Sequence, residues 1–218
     1  MKNDKRFIIS FIANILVFLL FVVGTIVMFT IGSGALASKG LSVFKYFTFQ
    51  SNIFMGVVAF VYAYYQWLIL KKKVDKIPHV LLVFNHIAVT AIGLTFMIVI
   101  LVLGPGYGYD KMYNNANLFF HALVPALAMI NYLFFEKEAK IRFIETLYAM
   151  IPSTIYGIVY FIVVVSQNAY GNLAIDFYNF GKDGPFIGAL YFLAIIAISY
   201  SIGLFLYFIN QLVFKKRK

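Results

Sequence analysis

Six long apolar runs, at about 7–31, 44–70, 78–103, 116–135, 142–165 and 186–214, occupy most of this 218-residue chain. A helix needs roughly 20 mostly apolar residues to cross a hydrocarbon core of about 30 Å. Each run therefore predicts a membrane-spanning helix, and the expected fold class is all-α, a polytopic integral membrane six-helix bundle forming one domain over residues 1–218. Charged residues make up only 12% of the chain, where an average soluble domain carries about 25%. Gly104-Pro105-Gly106 is expected to close the third helix, and Asp183-Gly184-Pro185 precedes the sixth, with Pro185 suited to a first helical turn. The first run resembles a signal peptide in having Lys2, Lys5 and Arg6 before it and Ala35-Leu36-Ala37 after it. A signal core spans only about 7–15 residues, so this run is read as a helix that stays.

The charges orient the bundle. The N-terminus (Lys2, Asp4, Lys5, Arg6) carries +2, the second loop (Lys71, Lys72, Lys73, Asp75, Lys76) +3 and the fourth loop (Glu136, Lys137, Glu138, Lys140, Arg142) +1. The tail (Lys215, Lys216, Arg217, Lys218) carries +4, and the remaining charges sum to zero. All of the net +10 thus falls on alternate segments, which predicts both termini on the cytoplasmic side. This distribution also separates the chain from nucleic-acid binders, whose basic residues interleave with aromatics on one face. Its expected partners are membrane lipids. A richness in Lys, Ile, Asn, Phe and Tyr suits an AT-rich bacterial genome, hence a bacterial cytoplasmic membrane.

The acidic residues all read as loop or helix-end residues, with Glu145 the nearest to an exception. Ion-coupled transporters usually keep a carboxylate at membrane depth, so that class is disfavoured at this stage. There is no cysteine and no His-Glu-x-x-His spacing, and no metal or cofactor is implied. Of the three histidines, His79 is expected at an interface. His86, beside Asn85 and one turn before Thr90, is expected as a buried hydrogen-bonding group, and a bis-histidine haem between His86 and His121 as the remote alternative.

Two polar clusters interrupt the apolar pattern. Thr48, Ser51 and Asn52, in the stretch Phe44 to Asn52, share one face at the start of the second helix through i, i+3 and i+4 spacing. Asn117, His121 and Pro125 share a face at the start of the fourth helix, where Pro125 is expected to free a carbonyl. Both helices enter from the outside by the charge count. Thr48 and His121 each lie about four or five residues in, or roughly 6–8 Å at 1.5 Å per residue, and so fall at one depth. A hydroxyl becomes a nucleophile when a neighbouring base takes its proton, and an imidazole is suited to that work. Thr48 is thus a candidate nucleophile and His121 its base. Gln50, Ser51, Asn52 and Asn117 are candidates to bind substrate, orient the histidine or supply oxyanion donors. At this depth a lipid-like ester is the natural substrate. The same residues also suit a purely structural role, since small hydroxyls and asparagines join membrane helices through hydrogen bonds.

The stretch Lys45-Tyr46-Phe47-Thr48-Phe49 resembles the Lys-Tyr-Leu-Thr-Phe segment of the androgen-induced and androgen-dependent membrane hydrolases. His121-Ala122-Leu123-Val124-Pro125, followed by Glu136, resembles their His-Thr-x-x-Leu-Pro…Glu pattern. The segment Tyr46 to Asn52, the stretch Asn117 to Pro125 around His121, Pro152 and the stretch Phe177 to Gly181 are similar to six-helix bacterial membrane proteins. The likeness covers about residues 40–185. It implies an intramembrane threonine hydrolase of fatty acid esters of hydroxy fatty acids, with its nucleophile at Thr48 and its histidine at His121. Gln50-Ser51 stand where the hydrolases carry Ile-Asp-like residues, and Ala122 where they carry threonine. Acyl transfer stays open beside hydrolysis, as does a non-catalytic lipid- or small-molecule-binding protein or passive transporter. The oligomeric state is open as well.

Overall fold

The computed structural model describes residues 5–33, 39–136 and 140–214. Lys2, Asp4, Lys137, Glu138, the tail 215–218 and the Ala35-Leu36-Ala37 segment lie outside the described residues. Regular structure among the described residues is all helical. Six helices are long and apolar enough to cross a membrane: α1 (Lys5–Thr30), α2 (Phe47–Leu70), α3 (His79–Tyr107), α4 (Ala116–Phe134), α5 (Phe143–Ser166) and α6 (Pro185–Phe214).

The third helix is the centre post. Every residue from Asn85 to Thr95 is buried, and α3 packs against α2, α4, α5 and α6. Helix α1 lies outside it, against α2 and α4. Small residues allow the close approaches: a Cβ on Gly24 would stand 2.7 Å from Phe119 Cβ, and one on Gly203 2.7 Å from Ala149 Cβ. The outward faces carry exposed Ile12, Phe60, Ile155, Ile162, Leu193 and Leu212. An apolar surface that extensive would drive aggregation in water and suits a lipid surround.

The helix ends follow from backbone hydrogen bonding. The last carbonyls of α2 are closed by Lys73 N to Leu68 O and Lys72 N to Ile69 O, both at 3.0 Å. The same pair of bonds at the end of α5 runs from Ala169 N to Val164 O and from Asn168 N to Val165 O. Lys72 and Asn168 accordingly take left-handed backbone at φ 60° and 46°, as this capping motif demands.

Two prolines reshape the helices they enter. The Gly104-Pro105-Gly106 segment, expected to end the third helix, continues it to Tyr107. In α3 the turn Val99–Leu103 is a π-helix two residues before Pro105; in α4 the turn Phe119–Leu123 is a π-helix two residues before Pro125. A proline has no N–H for the carbonyl four residues back and its ring collides with that carbonyl. A wider turn relieves the collision, so each helix passes through its proline. His121 lies on the second of these turns.

Candidate functional site

Thr48 sits one residue inside the start of α2, half-buried, with its backbone anchored from several sides. Its carbonyl accepts hydrogen bonds from Ser51 Oγ at 3.0 Å and Asn52 Nδ2 at 2.7 Å. Asn52 Nδ2 donates also to Phe120 O at 3.1 Å. One buried amide therefore ties the Thr48 turn of α2 to the turn of α4 that carries His121. Ser51 Oγ shares a further 3.1 Å bond with Thr95 Oγ1, adding α3 to the same knot. The Phe49 and Phe120 rings meet edge-on at 5.4 Å beside it.

His121 is 4% exposed, and its Nδ1 lies 2.7 Å from Met112 O. A carbonyl can only accept, so Nδ1 carries the proton and the neutral ring keeps its lone pair on Nε2. Asn117 Nδ2 donates to Lys111 O at 3.4 Å. Lys111 and Met112 end the single helical turn Tyr109–Met112, whose last carbonyls have no partner within the turn. Asn117 and His121 thus fold the α3–α4 connection down onto the start of α4. Among the described residues no hydrogen bond joins Thr48 Oγ1 to His121; Asn52 couples the two through the backbone. Gln50 is exposed and donates to Phe44 O at 2.7 Å, away from this knot.

The α5–α6 connection closes over the start of α2. Tyr178 OH accepts the Phe47 N–H at 3.1 Å, satisfying one of the open amides of the first helical turn. Tyr156 OH donates to Lys45 O at 2.6 Å. Burial raises the Tyr178 phenol above its ordinary range and keeps it neutral. Buried Asp176 holds the connection in shape, accepting from Tyr160 OH at 2.5 Å and from the amides of Gly171, Phe180 and Gly181 at 2.8–3.0 Å. Lys45 Nζ lies over the Phe177 ring at 4.8 Å.

A second polar cluster lies at the opposite end of the bundle, and three acidic residues, although in connections or at a helix end as the sequence reads them, are shielded from solvent. Glu136, Glu145 and Asp176 are all buried, at 1%, 2% and 0% exposure. Glu145 pins the start of α5 to the start of α3: it meets His79 Nε2 at 2.9 Å and Arg142 Nη2 at 2.7 Å. Glu136 is the more unusual. Its Oε1 accepts from Asn131 Nδ2 at 2.8 Å and Asn14 Nδ2 at 3.2 Å, and its Oε2 from Asn85 Nδ2. Asn14 also donates to Gln66 Oε1 at 3.1 Å, and Gln66 to Ser10 Oγ at 3.0 Å. Asn210 Nδ2 reaches Tyr132 O at 2.6 Å and Glu136 O at 3.3 Å. Five helices converge here. The amide oxygens of Asn14, Asn85 and Asn131 are buried without a hydrogen-bond partner, each an arrangement that costs about 1–3 kcal/mol.

Sequence reasoning missed this cluster because Glu136 follows Phe135 at a helix end and reads as a loop residue. The signal was there in another form: Asn14, Gln66, Asn85, Asn131 and Asn210 put one amide on each of five helices, all toward one end. His86 lies nearby, its Nδ1 2.9 Å from Tyr132 OH. Tyr132 is eleven residues beyond His121 on α4, about 16 Å along the helix, so His86 and His121 do not flank a common haem. No group of three or more His, Cys, Asp or Glu that could hold a metal occurs among the described residues.

In comparisons with known proteins, no family model, no curated protein and no solved structure matches this chain.

Proposed function

We propose that this chain is an intramembrane threonine-dependent hydrolase or acyltransferase of lipid esters, with Thr48 as nucleophile and His121 as general base. In this reading both termini are cytoplasmic, the membrane is a bacterial cytoplasmic membrane and the Thr48 end faces the outer leaflet. The observation that carries the reading is the tautomer of His121. The Met112 carbonyl accepts a hydrogen bond from Nδ1–H, leaving Nε2 as the acceptor on a turn coupled by Asn52 to Thr48. A base oriented by a second group beside a hydroxyl is the arrangement that activates one.

In the reaction Thr48 Oγ1 attacks the ester carbonyl carbon while its proton passes to His121 Nε2. The tetrahedral adduct collapses, the C–O bond to the alcohol breaks, and the imidazolium returns the proton to the departing alkoxide. Water, or an acceptor alcohol, then attacks the acyl-Thr48 ester; its proton passes to Nε2 and on to Thr48 Oγ1. Both hydrogens of the Asn52 amide are held by carbonyls, so its role is to fix the two helices. The Thr48 N–H, in the first turn of α2, is the donor left for the oxyanion.

The test is turnover of a lipid-ester panel, including a branched fatty acid ester, by purified protein. Thr48→Ala keeps the carbonyl that holds Ser51 and Asn52, so loss of turnover would report the hydroxyl alone. His121→Gln keeps a donor for Met112 O and removes the base; a drop of about 10²- to 10⁴-fold is expected. Undiminished turnover by a folded Thr48→Ala protein would end the enzyme reading.

A non-catalytic binding protein or transporter is the second reading, favoured by one observation. Glu136, two residues beyond the α4 span, is a buried carboxylate, and ion-coupled transporters usually keep a carboxylate in their interior.

A further inference from the structure

We propose that the groove between α1 and α4, at the Lys5 end of the bundle, binds one anionic phospholipid, whose acyl chain lies along the groove and whose phosphate meets Lys5.

The two helices build the groove from apolar side chains. Ile9, Ile12 and Leu16 of α1, with Leu127 and Ile130 of α4 and Phe135 just beyond it, surround a cavity of about 240 Å³. The three α1 residues span about 10 Å at 1.5 Å per residue. Two buried residues explain why the space is open. Ala13 is too short to fill it, and the Asn131 amide is turned inward, where Nδ2 donates to Glu136 Oε1 at 2.8 Å. Ile9, Ile12, Leu16 and Ile130 remain exposed along the rim, so the groove faces the bilayer and a chain can enter it from the side. The lining offers no polar surface, which suits an acyl chain and gives a peptide or a sugar nothing to hold.

Charge specifies the head group. Lys5, Ile9, Ile12 and Leu16 follow i, i+4, i+7 and i+11 spacing, so an exposed lysine tops the stripe that lines the groove. It stands one turn beyond Ile9, about 6 Å along the axis. Among the described residues its ammonium makes no ion pair or hydrogen bond. The buried carboxylates at this end have other partners: Glu136 meets Asn14, Asn85 and Asn131, and Glu145 meets His79 and Arg142. Arg6 lies over the Phe214 ring at 5.6 Å, on the side of α6. A lysine at the end of an apolar helix carries its ammonium to head-group depth, where an anionic phosphate supplies the counter-charge. A zwitterionic lipid would bring a second cation beside it. Once bound, the acyl chain covers Asn131 and shields its bond to Glu136. The site is independent of the Thr48 chemistry, which lies at the other end of the bundle.

Native mass spectrometry of the purified full-length protein, delipidated in detergent and titrated with phosphatidylglycerol or with phosphatidylcholine of the same chains, tests the proposal. The wild-type chain should bind one phosphatidylglycerol about fivefold more tightly than phosphatidylcholine, the weight of one basic residue at an anionic surface. Lys5→Gln should abolish that preference and keep weak binding of both lipids. Ile12→Trp, which fills the groove from an exposed position, should weaken both alike; should it fail to fold, Ile130→Trp fills the groove from α4. Lys182→Gln, the same change of charge on the exposed α5–α6 connection, should alter neither. Equal affinity of the wild-type chain for the two lipids overturns the proposal, as does a preference that survives Lys5→Gln. Tighter binding of free oleate than of phosphatidylglycerol overturns it too, since the occupant would then be a fatty acid.

Discussion

Asn52 does more for the Thr48 end than either residue of the proposed dyad. It is fully buried, and its one amide nitrogen bridges Thr48 O and Phe120 O across two helices. Thr48 Oγ1, by contrast, makes no hydrogen bond among the described residues. Replacing Asn52 with leucine, close to it in size, should therefore cost about 1–3 kcal/mol for two lost buried bonds. Thr48→Val, which keeps the shape, should stay within about 0.5 kcal/mol of wild type. Thermal unfolding in detergent checks the pair, and a larger loss for Thr48→Val than for Asn52→Leu would contradict the geometry. The two residues were legible to different degrees. Spacing places Thr48, Ser51 and Asn52 on one helix face, but which amide hydrogen goes where depends on the π-turn of α4, and no periodicity announces that turn. The Met112 carbonyl that orients His121 belongs to a connection whose path the sequence leaves open.

Elements meet through glycine at positions where a side chain would have to displace a neighbouring backbone. A Cβ on Gly203 would stand 2.7 Å from Ala149 Cβ, 3.4 Å from Thr90 Oγ1 and 3.5 Å from His86 Nε2. Ala149 Cβ is fixed to its own backbone and cannot turn aside, so α6 must shift as a body. Gly106, near the end of α3, has nothing within 4 Å of its would-be Cβ. Gly203→Ala should thus destabilise by about 1–3 kcal/mol, while Gly106→Ala should be neutral or stabilise by up to about 1 kcal/mol, the helix preference of alanine over glycine. Opposite signs in one unfolding assay are the expected result. Equal losses would mean that α6 does not pack as described. At this scale the sequence reading was close on the helices themselves, since the apolar runs and the six spans differ by a few residues at their ends. It stopped the third helix at Gly104-Pro105-Gly106 because proline breaks a regular helix, and the π-turn that lets α3 pass is a local rearrangement invisible to composition.

The whole molecule has two polar clusters, one toward each end of the bundle. One end gathers Thr48, Asn52, Asn117 and His121 under the Asp176-braced connection; the other gathers the amides around Glu136. The six helices needed to assemble both were legible in the apolar runs. The convergence on Glu136 was not, because five separate helices contribute one polar residue each, and single polar residues in apolar runs look alike until the helices are packed. The proposed orientation rests on the basic residues of the α2–α3 connection, where Lys71, Lys72, Lys73 and Lys76 are exposed. Such residues are usually retained on the cytoplasmic side, and in the proposed orientation the α5–α6 connection and Thr48 are outside. The chain has no cysteine of its own, so single introduced cysteines report their side without background. Ala174 and Asp75 are both exposed, on opposite ends of the bundle. Ala174→Cys should react with a membrane-impermeant maleimide on intact cells, and Asp75→Cys only after the membrane is opened. The reverse pattern would place Thr48 in the inner leaflet. It would then be cytoplasmic rather than external lipid that reaches His121, with the geometry between the two residues unchanged.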